Sequence, residues 1–245
     1  MRNIEDYTNK YISEDISFET YQVQYRRKKV LEQIALYKHD DILEIGCGRE
    51  PLFEYLKEYK SMTIVEPSNE FFHIAVEKAK ILPNIILVND FFEQVKLDNN
   101  KVDLILVSSL LHEVPDANYF LNCIKNKCSE NTVVHINVPN ANSFHRLLAY
   151  KSGLIENPNE FSDTQIKFQV NRVFDLATLK GVVEEMGFEV INSGSYFVKP
   201  FTHIQMKLLM DNNIINESIL NGFYNMIEYL PELGSEIFVD IRLKK

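Results

Sequence analysis

The chain of 245 residues is long enough for one large domain, or for a core domain that carries a small lid. Hydrophobic residues make up 45% of it and charged residues 25%, a globular composition that excludes a disordered or collagen-like chain. Lys and Arg number 26 against 35 Asp and Glu, so the net charge of −9 argues against a protein that coats nucleic acid.

The polar N-terminus does not have the pattern of a signal peptide. The longest apolar stretch, 102–111, includes an aspartate and falls well short of the roughly 20 residues of a membrane-spanning helix. Cys47, Cys123 and Cys128 are odd in number and lack the spacing of a zinc site, which is typical of a reducing compartment. We therefore expect a cytoplasmic protein without a metal, membrane or nucleic-acid partner, and no pattern indicates its oligomeric state.

The first 40 residues are predicted to form an arm and a helical cap. Residues 1–17 are polar and have no hydrophobic period, so we interpret them as an arm. Apolar side chains recur at helical spacing over 18–36, which predicts a helix with four basic residues, 26–29, in its middle. Such a basic group is typical of a solvated helix face, and the alternative is that one of its members reaches a ligand pocket.

From residue 41 onward, short apolar runs alternate with helical segments. The runs are 41–45, 61–65, 84–88, 102–107 and 132–138. Because they are apolar on both faces, we expect parallel strands covered by helices on both sides of a sheet. The helices predicted between them are 51–59, 69–80 and 116–127.

After residue 138 the pattern becomes irregular. It predicts helices over 145–150 and 176–186, a helical block over 202–229, and strands over 188–191, 196–198 and 237–241. Insertions around 141–171 and 200–232 are predicted to form a lid, because long segments above a sheet edge often cover a ligand. The whole pattern predicts an α/β fold, with a doubly wound, mostly parallel sheet of seven strands in the domain 41–245 and a ligand at the carboxyl ends of the strands.

A glycine turn follows the first predicted strand. Gly46 and Gly48 let the backbone turn sharply there and approach a ligand closely. Glu66 lies 20 residues after Gly46, at the tip of the second predicted strand, where a carboxylate can accept hydrogen bonds from both ribose hydroxyls. The turn and the acid together indicate a nucleoside-binding site.

The same turn argues against a nicotinamide dinucleotide as the ligand. Dinucleotide sites use a third glycine, and the matching position here is Pro51. Glu44 precedes the turn, where its carboxylate would repel a pyrophosphate and would suit an ammonium or sulfonium group. A nicotinamide oxidoreductase is therefore the weaker alternative.

Four motifs in chain order resemble those of the class I S-adenosylmethionine-dependent methyltransferases. They are Glu44-Ile-Gly-Cys-Gly48 at the first strand, Glu66 after the second, Asp90-Phe91 after the third, and the segment 103–116 at the fourth. The resemblance covers 25–188 and implies a Rossmann-like methyltransferase fold with S-adenosylmethionine as the cofactor.

The resemblance also implies a role for each matched residue. Gly46 and Gly48 admit the methionine part of the cofactor, and Glu66 holds the ribose hydroxyls. Asp90 faces the adenine amino group, with Phe91 beside the ring.

Three further residues complete the implied cofactor site. Ser108 offers its backbone to the amino-acid end of the cofactor, and Glu44 suits its positive charge. Arg26 folds over the pocket from the N-terminal helix and pairs with the cofactor carboxylate, as basic residues of that helix do in relatives.

The segments 138–148 and 229–234 are similar to small-molecule methyltransferases of the ubiquinone type and of surface-polysaccharide gene clusters. The Ser-Ser-Leu-Leu of 108–111 differs from the Asn/Asp-Pro-Pro-aromatic stretch of amide- and adenine-methylating relatives. We therefore expect methyl transfer to an oxygen of a sugar, phosphorylated or quinone-type metabolite, for example in polysaccharide biosynthesis. The alternative is a catalytically silent partner protein that only binds S-adenosylmethionine.

Two histidines are candidates for the base that deprotonates a hydroxyl acceptor. His112 lies just beyond the fourth predicted strand, and His145 lies on the segment after the fifth, on the same side of the sheet. The alternative for each is a structural histidine held by hydrogen bonds.

Overall fold

The apolar runs pair as one sheet in the computed structural model, which describes residues 3–13, 18–96 and 102–244. Within these residues the strands are Asp41–Ile45 (β1), Ser61–Val65 (β2), Ile85–Val88 (β3), Leu104–Ser108 (β4), Val133–Pro139 (β5), Phe188–Tyr196 (β6) and Glu236–Leu243 (β7). Their order is β3-β2-β1-β4-β5-β7-β6, with β1 to β5 parallel and β7 antiparallel to both of its neighbours. This sheet confirms the predicted doubly wound, mostly parallel, seven-stranded fold.

Helices cover both faces of the sheet. In the described ranges the α-helices are Ile4–Ser13 (α1), Glu19–Ile34 (α2), Asn69–Ala79 (α3), Ala117–Lys125 (α4), Phe144–Lys151 (α5), Asp163–Lys167 (α6), Leu176–Glu185 (α7), His203–Asp211 (α8) and Glu217–Asn225 (α9). Several begin at a side chain that accepts a hydrogen bond from an amide of the first turn, as Ser68 does for α3 and Asp116 for α4. None of these helices combines the length and the apolar character that crossing a membrane requires.

The strands alternate their apolar side chains between two helical layers. Leu43 and Ile105 pack on one face of the sheet in a cluster that includes side chains of α4 and α7. Ile42 and Leu104 pack on the opposite face with side chains of α2 and α3. Because both faces are buried in this way, the carboxyl edge of the parallel strands is the part of the sheet left to form a site.

The C-terminal helices pack on α2. The ring of Tyr25 on α2 stacks on Phe197, just after β6, at a centroid distance of 4.5 Å, and on Tyr224 of α9 at 5.4 Å. This third apolar cluster joins the N-terminal cap to the helical block that the sequence predicts over 202–229.

Two predicted segments differ from the structure in their helices. Residues 4–13, within the predicted arm, form α1, which is held by tertiary contacts of its tyrosine rings with Phe71 and Phe168. The helix predicted over 51–59 is wrong: only a 3-10 turn, Leu52–Glu54, forms, and the Leu52 amide donates to the carboxylate of Glu44.

The strands predicted over 188–191 and 196–198 also differ: residues 188–196 form one continuous strand, β6, and 197–198 lie beyond its end. A register shift between Val190 and Asn192 interrupts its pairing with β7. This irregularity explains why the alternating pattern breaks in the sequence.

Candidate active site

A cavity of about 930 Å³ lies at the carboxyl ends of β1, β2 and β4. This volume falls in the upper part of the roughly 300–1,000 Å³ range of small-molecule sites. Segments far apart in the sequence complete its wall: Ile4, Tyr7 and Tyr11 of α1, the stretch around α6, and His203 of α8. Both regions predicted as lid insertions therefore contribute side chains to the cavity.

The glycine turn after β1 forms one side of the cavity. Gly46 has a φ of +77° and Gly48 a φ of +56°, backbone conformations that residues other than glycine rarely adopt. A Cβ placed on Gly48 would meet no atom within 4 Å, whereas one on Gly46 would lie 3.3 Å from Leu110. The backbone at Gly48 therefore borders open cavity space, which is what a closely approaching ligand requires.

Glu44 is buried in the cavity wall at the end of β1. Its two carboxylate oxygens accept from the Leu52 amide at 3.1 and 3.3 Å. Burial raises the pKa of Glu44 to about 8; the Leu52 amide opposes this shift, and the negative charge of Glu66 adds to it. A positively charged ligand beside Glu44 would stabilise its carboxylate.

Glu66, directly after β2, is also buried in the wall. One carboxylate oxygen accepts from the Gly48 amide at 3.0 Å and the other from the Ser68 amide at 2.9 Å. Burial raises the pKa of Glu66, while these two backbone donors lower it. Glu66 thus holds the glycine turn and the start of α3 in one geometry.

Of the other residues predicted to bind the cofactor, some line the cavity and one does not. Phe91 and Ser108 line the cavity. Asp90 is half-buried and accepts from the Phe91 amide at 2.8 Å, but it does not contribute to the wall.

Arg26 lies on the cavity wall, yet its guanidinium is engaged by carboxylates of this chain. Its Nη2 lies 2.6 Å from Glu236 and 3.2 Å from Glu19, and its Nε donates to Glu236 at 2.9 Å. The predicted pairing of Arg26 with a cofactor carboxylate therefore has to compete with a buried, bidentate ion pair.

A buried polar chain behind the tip of β4 was not indicated by the sequence. Ser109 has a φ of +52°, and its amide donates to the side-chain oxygen of Asn137 at 3.0 Å. Asn137 Nδ2 lies 3.2 Å from His135 Nε2, and His135 Nδ1 lies 2.6 Å from Asp240. The only hint in the sequence is that two polar residues of the apolar run 132–138 are two positions apart and so share a face.

The two candidate bases occupy different places. His112 is buried on the cavity wall, with its Nε2 3.7 Å from the carboxylate of Glu113. His145, in the first turn of α5, does not line the cavity, and burial lowers its pKa well below the ordinary value. Of the two, the structure places His112 at the site. His203, which the sequence did not indicate, also lines the wall.

Helix α1 contributes Ile4, Tyr7 and Tyr11 to the cavity wall and is hydrogen-bonded to residues that follow β2 and β4. The hydroxyl of Thr8 donates to that of Ser68 at 2.9 Å, and the hydroxyl of Tyr7 donates to Glu113 at 3.4 Å. Tyr7 and Tyr11 are one turn apart, a spacing that would have put both on one helix face had a helix been recognised there.

The polar groups and the open space of the cavity fit S-adenosylmethionine. The open space at Gly48 admits a ligand against the backbone, and Glu66 can accept from ribose hydroxyls. The buried carboxylate of Glu44 favours a cation over a pyrophosphate.

Comparisons with known proteins agree with this fit. The sequence profile of the methyltransferase domain family matches residues 19–193, so the chain belongs to that family. It is an S-adenosylmethionine-dependent methyltransferase. Among curated proteins, none matches the sequence.

Solved structures with low sequence identity share the fold. An S-adenosylmethionine-dependent methyltransferase from Clostridium acetobutylicum is 12% identical, with a TM-score of 0.59 over 91% of this chain and 92% of that one. A possible histamine N-methyltransferase from Thermotoga maritima is 14% identical, with a TM-score of 0.62 over 97% and 95%. The plantazolicin methyltransferase BamL, in complex with SAH, is 15% identical, with a TM-score of 0.54 over 98% and 88%.

Proposed function

We propose that the protein methylates a hydroxyl oxygen of a small molecule, on a sugar, phosphorylated or quinone-type metabolite. The observation that carries this proposal is the division of one cavity into two ends. The glycine turn and Glu66 form the end at β1 and β2, and His112 lies at the end beyond β4. An acceptor beside His112 is then enclosed between the tip of β4 and α1.

In this proposal the cofactor is bound by the residues at the β1 and β2 end of the cavity. Gly46 and Gly48 leave room for it, Glu66 accepts from the ribose hydroxyls, Glu44 balances its positive charge, and Phe91 lies beside the adenine. The bound cofactor supplies an activated methyl group, whose bond to sulfur breaks with the electron pair staying on sulfur.

In this proposal the protein itself positions the two reactants, displaces water from them and removes the proton of the acceptor hydroxyl. Holding two reactants in line lowers the barrier by up to about 7–11 kcal/mol. Ile4, Tyr7 and Tyr11 of helix α1 line the cavity and take the place of water along that part of its wall. His112 accepts the hydroxyl proton as the acceptor oxygen bonds to carbon.

The cofactor end is tested by ligand-induced stabilisation. SAH should raise the melting temperature of the protein and NADH should not, because only a ligand that binds the folded state stabilises it. Stabilisation by NADH alone would contradict the assignment.

The role of His112 is tested with panels of hydroxylated sugars, phosphorylated sugars and quinols as acceptors. With an accepted substrate, His112→Ala should lower kcat by roughly 10²–10⁴ and leave SAH affinity nearly unchanged. His145→Ala and the exposed His73→Ala are the controls and should keep kcat. If His145→Ala removes turnover while His112→Ala does not, the assignment of the base is reversed.

A further inference from the structure

We infer that the acceptor end of the cavity binds a molecule with a protonated or quaternary amine, so that the acceptor is a hydroxylated amine. This inference rests on the proposed function: it keeps methyl transfer to a hydroxyl oxygen at the same site, but replaces the phosphorylated and quinone-type acceptors by a hydroxylated amine. It concerns four rings on the cavity wall, here called the aromatic box, and the carboxylate beside them. The box consists of Tyr7, Tyr11, Phe71 and Phe168. Tyr7 connects it to Glu113 beyond β4, and Phe71, in the first turn of α3, forms its side toward the cofactor end.

In the aromatic box, the phenylalanine rings stand at nearly right angles to the tyrosine rings that they contact. Tyr7 and Tyr11 are roughly parallel, with centroids 6.1 Å apart and an interplanar angle of 24°. Phe168 meets both tyrosines at 78°, with centroids 6.0 and 6.3 Å away. Phe71 meets Tyr11 at 80° and 5.7 Å. Rings that border one space in several orientations can present π-faces to a cation from more than one side.

Glu113 adds a negative charge next to this box. Its side chain is 9% exposed, lies on the cavity wall and accepts from the hydroxyl of Tyr7 at 3.4 Å. A buried carboxylate beside aromatic faces favours a cation that sheds its water shell, because both groups then act at short range in a poorly solvated space.

The net charge of the cavity wall also favours a cationic acceptor. Among the described residues that line the cavity, seven are acidic and three are arginines. Arg26 already pairs with Glu236 and Glu19, and Arg27 with Glu50. The wall therefore attracts cations and disfavours an acceptor that would be bound through a phosphate or carboxylate group.

Choline and 3,3-dimethylbutan-1-ol test the inference, because they have the same shape and hydroxyl and differ in charge. Calorimetry is done on the protein saturated with SAH, at millimolar probe concentrations. We expect choline to bind at least tenfold more tightly than the neutral alcohol. Equal affinities, or no binding of choline, would overturn the inference.

Variants then assign the selectivity to particular groups. Glu113→Gln should reduce the preference for choline at least severalfold, whereas Glu70→Gln, at an exposed position of α3 outside the cavity wall, should keep it. Tyr11→Leu should weaken choline binding, and Tyr11→Phe should retain it, since the ring face rather than the hydroxyl makes the contact. A preference that survives both Glu113→Gln and Tyr11→Leu contradicts the assignment.

The same samples separate this inference from the proposed function. If SAH fails to stabilise the wild-type protein, the methyl-transfer site itself is wrongly placed. If SAH binds and choline shows no advantage over the alcohol, only the cationic acceptor is ruled out.

Discussion

Glu44 and Glu66 are both buried carboxylates at the ends of neighbouring strands, yet they differ in their hydrogen-bond partners and in what holds their charge. Glu44 accepts from one amide, that of Leu52, and its pKa rises to about 8. Glu66 accepts from the amides of Gly48 and Ser68, which favour its ionised form and fix its orientation. A fixed acceptor suits ribose hydroxyls, whereas a carboxyl poised near neutrality suits a ligand that brings its own positive charge.

The role of Glu66 leads to a prediction about cofactor affinity. Glu66→Gln keeps the shape of the side chain but removes a charged acceptor worth about 1.5–3 kcal/mol, so the Kd for SAH should rise roughly 10- to 150-fold. Calorimetry measures the affinity, and Glu70→Gln, an exposed residue of α3, is the matched control. Unchanged affinity in Glu66→Gln would remove this residue from the site.

At the scale of elements, the tip of β4 depends on its neighbour β5. Ser109 adopts a φ of +52°, which costs energy for a residue with a side chain, and the main-chain and side-chain oxygens of Asn137 both accept from its amide. Asn137 is in turn held by His135, which lies against Asp240 of β7. Three strands therefore position the segment that leads from Ser108 to the cavity.

We predict that Asn137→Ala loosens this tip. The loss of a buried hydrogen-bond partner should lower the free energy of unfolding by about 1–3 kcal/mol, measured by urea denaturation. SAH affinity should fall as well, because the backbone beside Ser108 is no longer held. Asn122→Ala, on the exposed side of α4, should change neither quantity. A destabilised variant that binds SAH normally would show that the tip of β4 does not contact the cofactor.

At the scale of the whole molecule, buried charges make stability depend on pH in opposing directions. The raised pKa of Glu44 means that the folded protein keeps a proton, between the unfolded pKa of 4.5 and about 8, that the unfolded chain has released. This group therefore destabilises the fold as pH rises through that window. Burial lowers the pKa of His203 to about 2, so this group destabilises the fold as pH falls below its ordinary value of 6.5.

Because these effects overlap, the prediction concerns a difference between two proteins without cofactor. Glu44→Gln cannot titrate, so the melting temperature of the wild type relative to this variant should fall steadily from pH 5 to pH 8. Parallel curves over this range would mean that Glu44 titrates normally in the folded state.

The sequence by itself determined the sheet and the positions of the glycine turn and Glu66 at the ends of its first two strands. Strands that are buried on both faces appear as short apolar runs, and crossover helices appear between them, so the alternation can be recognised without tertiary information. The glycine turn and Glu66 follow strand ends, and parallel topology brings such ends to one edge. Gly46, Gly48 and Glu66 therefore met at the cavity as their spacing predicts.

Only the tertiary structure decided which segments pack against this edge of the sheet and which charged side chains there are already paired within the chain. Ile4, Tyr7 and Tyr11 of helix α1 follow a helical spacing within a short polar segment, and the contacts of its tyrosine rings with Phe71 and Phe168 come from distant segments. Arg26 is separated from Glu236 by 210 residues, so no local pattern could show that its charge is already engaged. The same holds for Asn137 behind Ser109 and for the exclusion of His145 from the wall. Such contacts depend on how whole elements pack, and packing is a property of the assembled chain rather than of any window of its sequence.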